Sequence, residues 1–123
     1  MEYLTSPVIY LDKTDFDDNG NLTTIRSDKP IFIMIQAVFC FHCTKAKPWY
    51  QEFAMNNKDR VVCCSIQGDA EYPDAKNMGS IIKKICPDFM GFPSYVVLHN
   101  GEYIQYNEGR KTEDLQKFLD KLN

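Results

Sequence analysis

Apolar residues fall along this chain in short runs with two different periods. Ile31-Phe-Ile-Met-Ile is an unbroken apolar run that leads into Cys40-Phe-His-Cys43, the pattern of a strand buried on both faces. After it, Ala46, Trp49, Tyr50, Phe53 and Ala54 recur at i, i+3, i+4, i+7 and i+8, which is one face of a helix. Residues 60–66 read as another buried strand, and Met78, Ile81, Ile82 and Ile85 as the inner face of a second helix closed by Pro87. A loop is expected over 67–74. Ser94–His99 and Glu102–Tyr106 read as strands joined by Asn100-Gly101, the dipeptide of two-residue hairpin turns. Thr112 is expected to cap a last helix. Its buried face is Leu115, Phe118, Leu119 and Leu122, with Glu113 and Asp114 early and Lys117 and Lys121 late, an order that complements the helix dipole. Upstream, residues 8–11 form a short strand candidate. The polar stretch 12–29 holds at most short helical pieces, around 15–16 and 22–25. The order β-β-α-β-α-β-β-α predicts an α/β fold in one domain, 1–123, with a mixed central sheet flanked by helices and a right-handed parallel crossover.

The two thiols of Cys40 and Cys43 therefore sit where a buried strand hands over to a helix. Unpaired N–H groups and the positive end of the helix dipole stabilise a thiolate there, and the first thiol has just emerged from the core. Cys40 is expected to attack as the thiolate and Cys43, less exposed, to resolve the mixed disulfide. The competing reading is half of a zinc site. Zinc wants four ligands, and the other sulfurs lie on a strand, Cys63 and Cys64, and at a distant helix end, Cys86. No metal set is expected. Asp15-x-Asp17-x-Asn19-Gly20 matches the opening of a calcium loop, but Arg26 stands where the bidentate acid belongs. Cys63 and Cys64 should face opposite sides of their strand, with Cys64 in the core. Cys86 is expected to be half-exposed and His99 to be a solvated strand end.

Charge and termini narrow the function classes. Fourteen Lys and Arg against seventeen Asp and Glu leave a net charge of −3, so no basic footprint points to nucleic acid or an anionic membrane surface. The N-terminus shows no basic and apolar leader, and no run approaches the length of a membrane span, so a cytoplasmic location is expected. Five cysteines, an odd count, argue for a thiol site over a disulfide framework.

The strand, Cys40-x-x-Cys43 and Pro48, followed at a distance by Gly91-Phe-Pro93-Ser94, an apolar strand and Asn100-Gly101, resemble the thioredoxin family over nearly the whole chain. The resemblance implies a thioredoxin fold and a thiol–disulfide oxidoreductase acting on protein or peptide disulfides. It also implies a cis bond before Pro93 packed against the dithiol, no separate cofactor, a monomer, and a recycling reductase or oxidant whose identity is unknown. His42 between the cysteines is similar to protein disulfide isomerase. It either stabilises the Cys40 thiolate, favouring the reduced form, or is a solvated helix-start residue. Given the family geometry, Phe39, Phe41, Phe92 and Pro93 would line a groove for an extended polypeptide. Core packing is the alternative for the phenylalanines and is favoured for Phe39. Four features depart from the family: Met34 replaces its buried carboxylate, no lysine stands between Val61 and Gln67, Phe39 replaces a tryptophan, and Ser94 replaces a threonine. Met34 keeps open a second function class, a protein-binding module with little redox turnover.

Overall fold

A computed structural model describes residues 3–68 and 75–122, the side chains of 75–77 excepted. Five strands form one sheet: β1 (Ile9–Tyr10), β2 (Ile31–Gln36), β3 (Val62–Gln67), β4 (Ser94–His99) and β5 (Glu102–Tyr106). Among the described residues three α-helices accompany them: α1 (Phe41–Asn56), α2 (Ala75–Ile85) and α3 (Thr112–Lys121). The spatial order is β1-β3-β2-β4-β5. β1 and β2 run parallel to β3, while β4 runs antiparallel to both β2 and β5. The sheet is thus mixed and flanked by helices, as the order of elements implies.

Alternation along the central strands splits the core into two layers. Phe32, Met34, Cys63, Tyr95 and Val97 pack with Ala46, Tyr50 and Phe53 of α1 and Leu115 and Leu119 of α3. Ile31, Ile33, Ile35, Cys64, Ile66 and Val96 pack with Met78, Ile81, Ile82 and Ile85 of α2. Cys63 and Cys64 accordingly face opposite sides, Cys64 in the core. The hairpin is as expected. Asn100 and Gly101 both take positive φ, 53° and 81°, and glycine meets that demand at no steric cost.

Four local expectations are corrected. The first strand is only two residues long. Residues 22–25 are not helical, because Leu22 instead bridges Phe16 in antiparallel pairing; a short 3-10 turn over Lys13–Asp15 stands upstream. Thr112 does not cap α3. Lys111 holds the cap position, and the Thr112 hydroxyl is engaged by α1, 3.0 Å from the Trp49 carbonyl and 3.1 Å from Glu52 Oε2. Cys86 is fully buried. Its N–H still donates to the Ile82 carbonyl at 2.8 Å, so the thiol stays on the helix's buried stripe, one turn past Ile82. His99 is half-buried at its strand end. The loop expected over 67–74 lies mostly outside the described residues. Among the described residues no helix is long and apolar enough to cross a membrane.

Candidate functional site

The dithiol forms where β2 ends. Strand pairing stops at Gln36, the chain crosses 37–40 without regular structure, and Cys40 becomes the N-cap of α1. Its φ and ψ are extended, −82° and 120°, so its sulfur folds back over the first turn and accepts from the Cys43 N–H at 3.2 Å. That N–H is one of the donors a helix start leaves unpaired. On its other side the Cys40 thiol donates to the Phe92 carbonyl at 3.6 Å. Phe92 precedes Pro93 through a cis peptide bond, and Pro93 is buried. Two segments separated by some fifty residues thus meet at one sulfur. Cys40 is half-exposed and Cys43 is fully buried, and both are free thiols.

Burial separates the thiols chemically. It pushes the Cys43 thiol up to about 12, reinforced by the hydrogen bond and charge of Cys40 and opposed by the Ala37 backbone and the charge of Lys47. Burial also pushes Cys63 and Cys64 up to about 12, and raises Cys86 with help from the Asp88 charge. Thiolates are the nucleophiles, so in the resting state these four thiols are kept protonated while Cys40 faces solvent.

The aromatic residues divide. Phe39 is 70% exposed, not core as favoured from sequence. It falls after pairing ends, where inward–outward alternation no longer holds. Its ring meets Phe92 edge-on at 6.3 Å, and Phe92 meets Phe89 at 5.3 Å. Phe41, also 70% exposed, lies with exposed His42 at 5.8 Å and with Lys45 Nζ at 5.7 Å from its ring. Phe39 and Phe92 are therefore joined beside Cys40, while Phe41 forms a separate flank. Met90 is 96% exposed on the cis-proline side, next to a shallow hollow of about 340 Å³ lined by Phe92, Pro93, Gln105, Asn107 and Arg110. Gly68 makes this arrangement possible, since a Cβ there would come within 2.9 Å of the Phe92 ring.

Where the resemblance places a carboxylate the sheet carries an apolar side chain with polar neighbours. Met34 is fully buried, its carbonyl accepting from Ser65 Oγ at 2.9 Å, and Gln36 Nε2 donates to the same hydroxyl at 3.3 Å. Among the described residues, Gln36 Oε1 and the Tyr95 hydroxyl are buried without a hydrogen-bond partner. Lys47 is also fully buried. Sequence reading passes over Gln36 and Lys47 and takes Gly68 only as a loop glycine. For Lys47 a signal existed, because 43, 46, 47, 50, 53 and 54 are one helical stripe and the lysine occupies a slot on it. Among the described residues no cluster of three or more His, Cys, Asp or Glu could hold a metal. In the stretch that opens like a calcium loop, Asp17 accepts instead from the backbone of Asn19 and Asn21, both at 2.9 Å.

Comparison with known proteins agrees with this geometry. The chain is 40% identical over 117 residues to the thioredoxin-like protein 453L of Invertebrate iridescent virus 6, a match spanning 85% of each chain. It is 28% identical over 119 residues to the protein disulfide-isomerase erp38 of Neurospora crassa, covering 93% of this chain and 29% of that one. Among solved structures, the first thioredoxin domain of mouse protein disulfide-isomerase A4 superposes with a TM-score of 0.69 at 19% identity, over 92% of this chain and 73% of that one. Thioredoxin f2, from its complex with ferredoxin:thioredoxin reductase, gives the same TM-score and identity over 94% of both chains. The family model for thioredoxin matches residues 7–121, and the chain belongs to the thioredoxin family.

Proposed function

We propose that this protein is a thiol–disulfide oxidoreductase acting on protein or peptide disulfides through Cys40 and Cys43. The observation that carries the reading is the asymmetry of the pair. One sulfur is half-exposed and sits on a helix N-terminus, 3.2 Å from the Cys43 N–H; the other is buried and held protonated. In the reductive direction the Cys40 thiolate attacks one sulfur of the substrate disulfide. The substrate S–S bond breaks, its second sulfur leaves with the electron pair and takes a proton, and a mixed disulfide remains. Cys43 then loses its proton and attacks the Cys40 sulfur. The second substrate thiolate is expelled, and the two electrons gained by the substrate are matched by the new Cys40–Cys43 bond. Run backwards, the same steps oxidise a substrate dithiol. A reductase or oxidant must reset the pair, and no further cofactor enters the chemistry.

Phe39 and Phe92, the latter over buried Pro93, and separately Phe41 present apolar surface near Cys40 that suits an extended polypeptide. The relatives named protein disulfide-isomerase support that substrate class. His42, exposed in the first turn between the two cysteines, is the residue whose charged form would favour the reduced state. The test is reduction of insulin disulfides by dithiothreitol, with a Cys40→Ser variant alongside. Turnover that is lost in the variant supports the enzyme. Equal background rates in both would leave a thioredoxin-fold binding module.

A further inference from the structure

Lys47 has none of its side chain exposed, which is rare for a lysine. It follows Cys43 by four residues in α1, so the two share a helix face with Cβ atoms about 5–6 Å apart. Helical side chains lean towards the N-terminus, which aims this one at Cys43 and away from the far end of the core. Cys43 is itself fully buried. The family resemblance places a carboxylate at position 34 and a lysine on the neighbouring strand. This chain has Met34 there, and Val62, Cys63, Cys64, Ser65, Ile66 and Gln67 along β3. A buried amine has come from the helix instead of the sheet.

We propose that Lys47 is the charge that makes Cys43 competent to resolve the mixed disulfide, its ammonium pairing with the Cys43 thiolate as that thiolate attacks Cys40. The inference rests on the oxidoreductase reading and names a positioning residue within it, one that acts through Cys43. Whichever group holds the proton at rest, the attacking state is the thiolate–ammonium pair. The sulfur then gives its electron pair to Cys40, the substrate thiolate leaves, and the ammonium is left beside a neutral disulfide. Two of the three influences that keep Cys43 protonated at rest come from Cys40. In the mixed disulfide Cys40 has neither charge nor thiol, so both vanish. Burial is then opposed by the Ala37 backbone and Lys47. Of the other titratable groups here, Tyr95 on β4 faces Cys43, with its phenol raised by burial, and Arg110 acts on Tyr95. Tyr50 on α1 is buried and raised likewise, with Cys63 of β3 beside it. These phenols and the Cys63 thiol are neutral at working pH, so they do not substitute for a cation.

The reaction with 5,5′-dithiobis(2-nitrobenzoate) reads capture and resolution separately. Cys40 releases one thionitrobenzoate on capture, and Cys43 releases a second on resolution. Wild type, Lys47→Met and Lys47→Gln are compared from pH 6 to 9; the two variants keep similar volume, one apolar and one polar. The expected result is a capture phase unchanged within about twofold in both. The resolution phase should be slowed about tenfold at pH 7, its pH dependence moved up by about one unit, the size of a nearby opposite charge's effect. A resolution phase that matches wild type in rate and pH dependence would overturn the proposal. So would capture and resolution slowing in parallel, which assigns Lys47 to packing. A wild type that releases a single equivalent would instead sink the dithiol reading itself, and this inference with it.

Discussion

Raising the pH should unfold this protein, because three of its thiols keep their protons only while it is folded. Burial pushes Cys43, Cys63 and Cys64 each up to about 12, whereas an unfolded thiol titrates near about 8.5. Between those values the unfolded chain gives up protons that the native state retains. Stability that is fully present below about pH 8.5 is therefore lost as the pH climbs towards 12. Each thiol contributes about 1.4 kcal/mol per pH unit once its unfolded form is ionised, so three remove about 4 kcal/mol per unit. An ordinary domain stability of about 5–15 kcal/mol is used up within about one to four units on that slope. The buried phenols act in the same direction from about pH 10, Tyr50 among them. The assay is urea unfolding followed by circular dichroism at fixed pH from 7 to 10, under reducing conditions. A Cys64→Val variant supplies the control. Cys64 packs among Ile33, Ile66 and Ile81, so valine fits its setting and removes one titrating group. The slope of stability against pH should fall by about one third. Flat stability between pH 8.5 and 10, or an unchanged slope in the variant, would refute the claim that burial keeps these thiols neutral.

Brief iodoacetamide labelling of the native protein at neutral pH should modify Cys40 first, as mapped by peptide mass spectrometry; equal labelling of Cys63, Cys64 or Cys86 would move the chemistry elsewhere. His42→Pro should lower the reduction potential, measured against glutathione, towards the reducing thioredoxins at about −270 mV, and no change would leave His42 a solvated side chain. The double variant Phe39→Ser, Phe41→Ser should slow insulin reduction severalfold while leaving capture of a small aromatic disulfide within about twofold. Both rings are 70% exposed, so its melting temperature should barely move. Equal losses on both substrates would argue against a polypeptide groove.

The central strands and the hairpin were legible because β-branched runs and an Asn-Gly pair leave few alternatives for the backbone. The α1 stripe was legible for the same kind of reason, with one gap. Lys47 sits within the stripe, and a charged residue type suggests the solvent face even where its register says otherwise. Phe39 misled in the opposite sense, since an aromatic residue next to a buried strand suggests core, yet it lies past the last paired residue. Thr112 has the chemistry of a cap, and only the approach of α1 shows that its hydroxyl is taken. Of the site, the two cysteines could be read from their spacing together with the buried strand before them and the helical stripe after them. The Phe92 carbonyl at Cys40 and the close fit of Gly68 against Phe92 are long-range contacts that no local pattern encodes.

The shortness of β1 bears on how this protein would aggregate. Beyond its two residues the Leu11 N–H continues the pairing, at 2.8 Å to the Ser65 carbonyl. β3 has the sequence Val-Cys-Cys-Ser-Ile-Gln, six residues without charge or proline, a composition prone to cross-β stacking when exposed at an edge. The segment that covers that edge buries Leu4, Val8 and Leu11 in the core and is also held by Gln51. Gln51 accepts from the Thr5 N–H at 2.8 Å and donates to the carbonyls of Thr5 and Ser6 at 3.0 and 3.2 Å. Release of the segment would strip Leu4, Val8 and Leu11 from the core and bare a template for fibril growth in the same event, so aggregation here is coupled to local unfolding at the N-terminal edge.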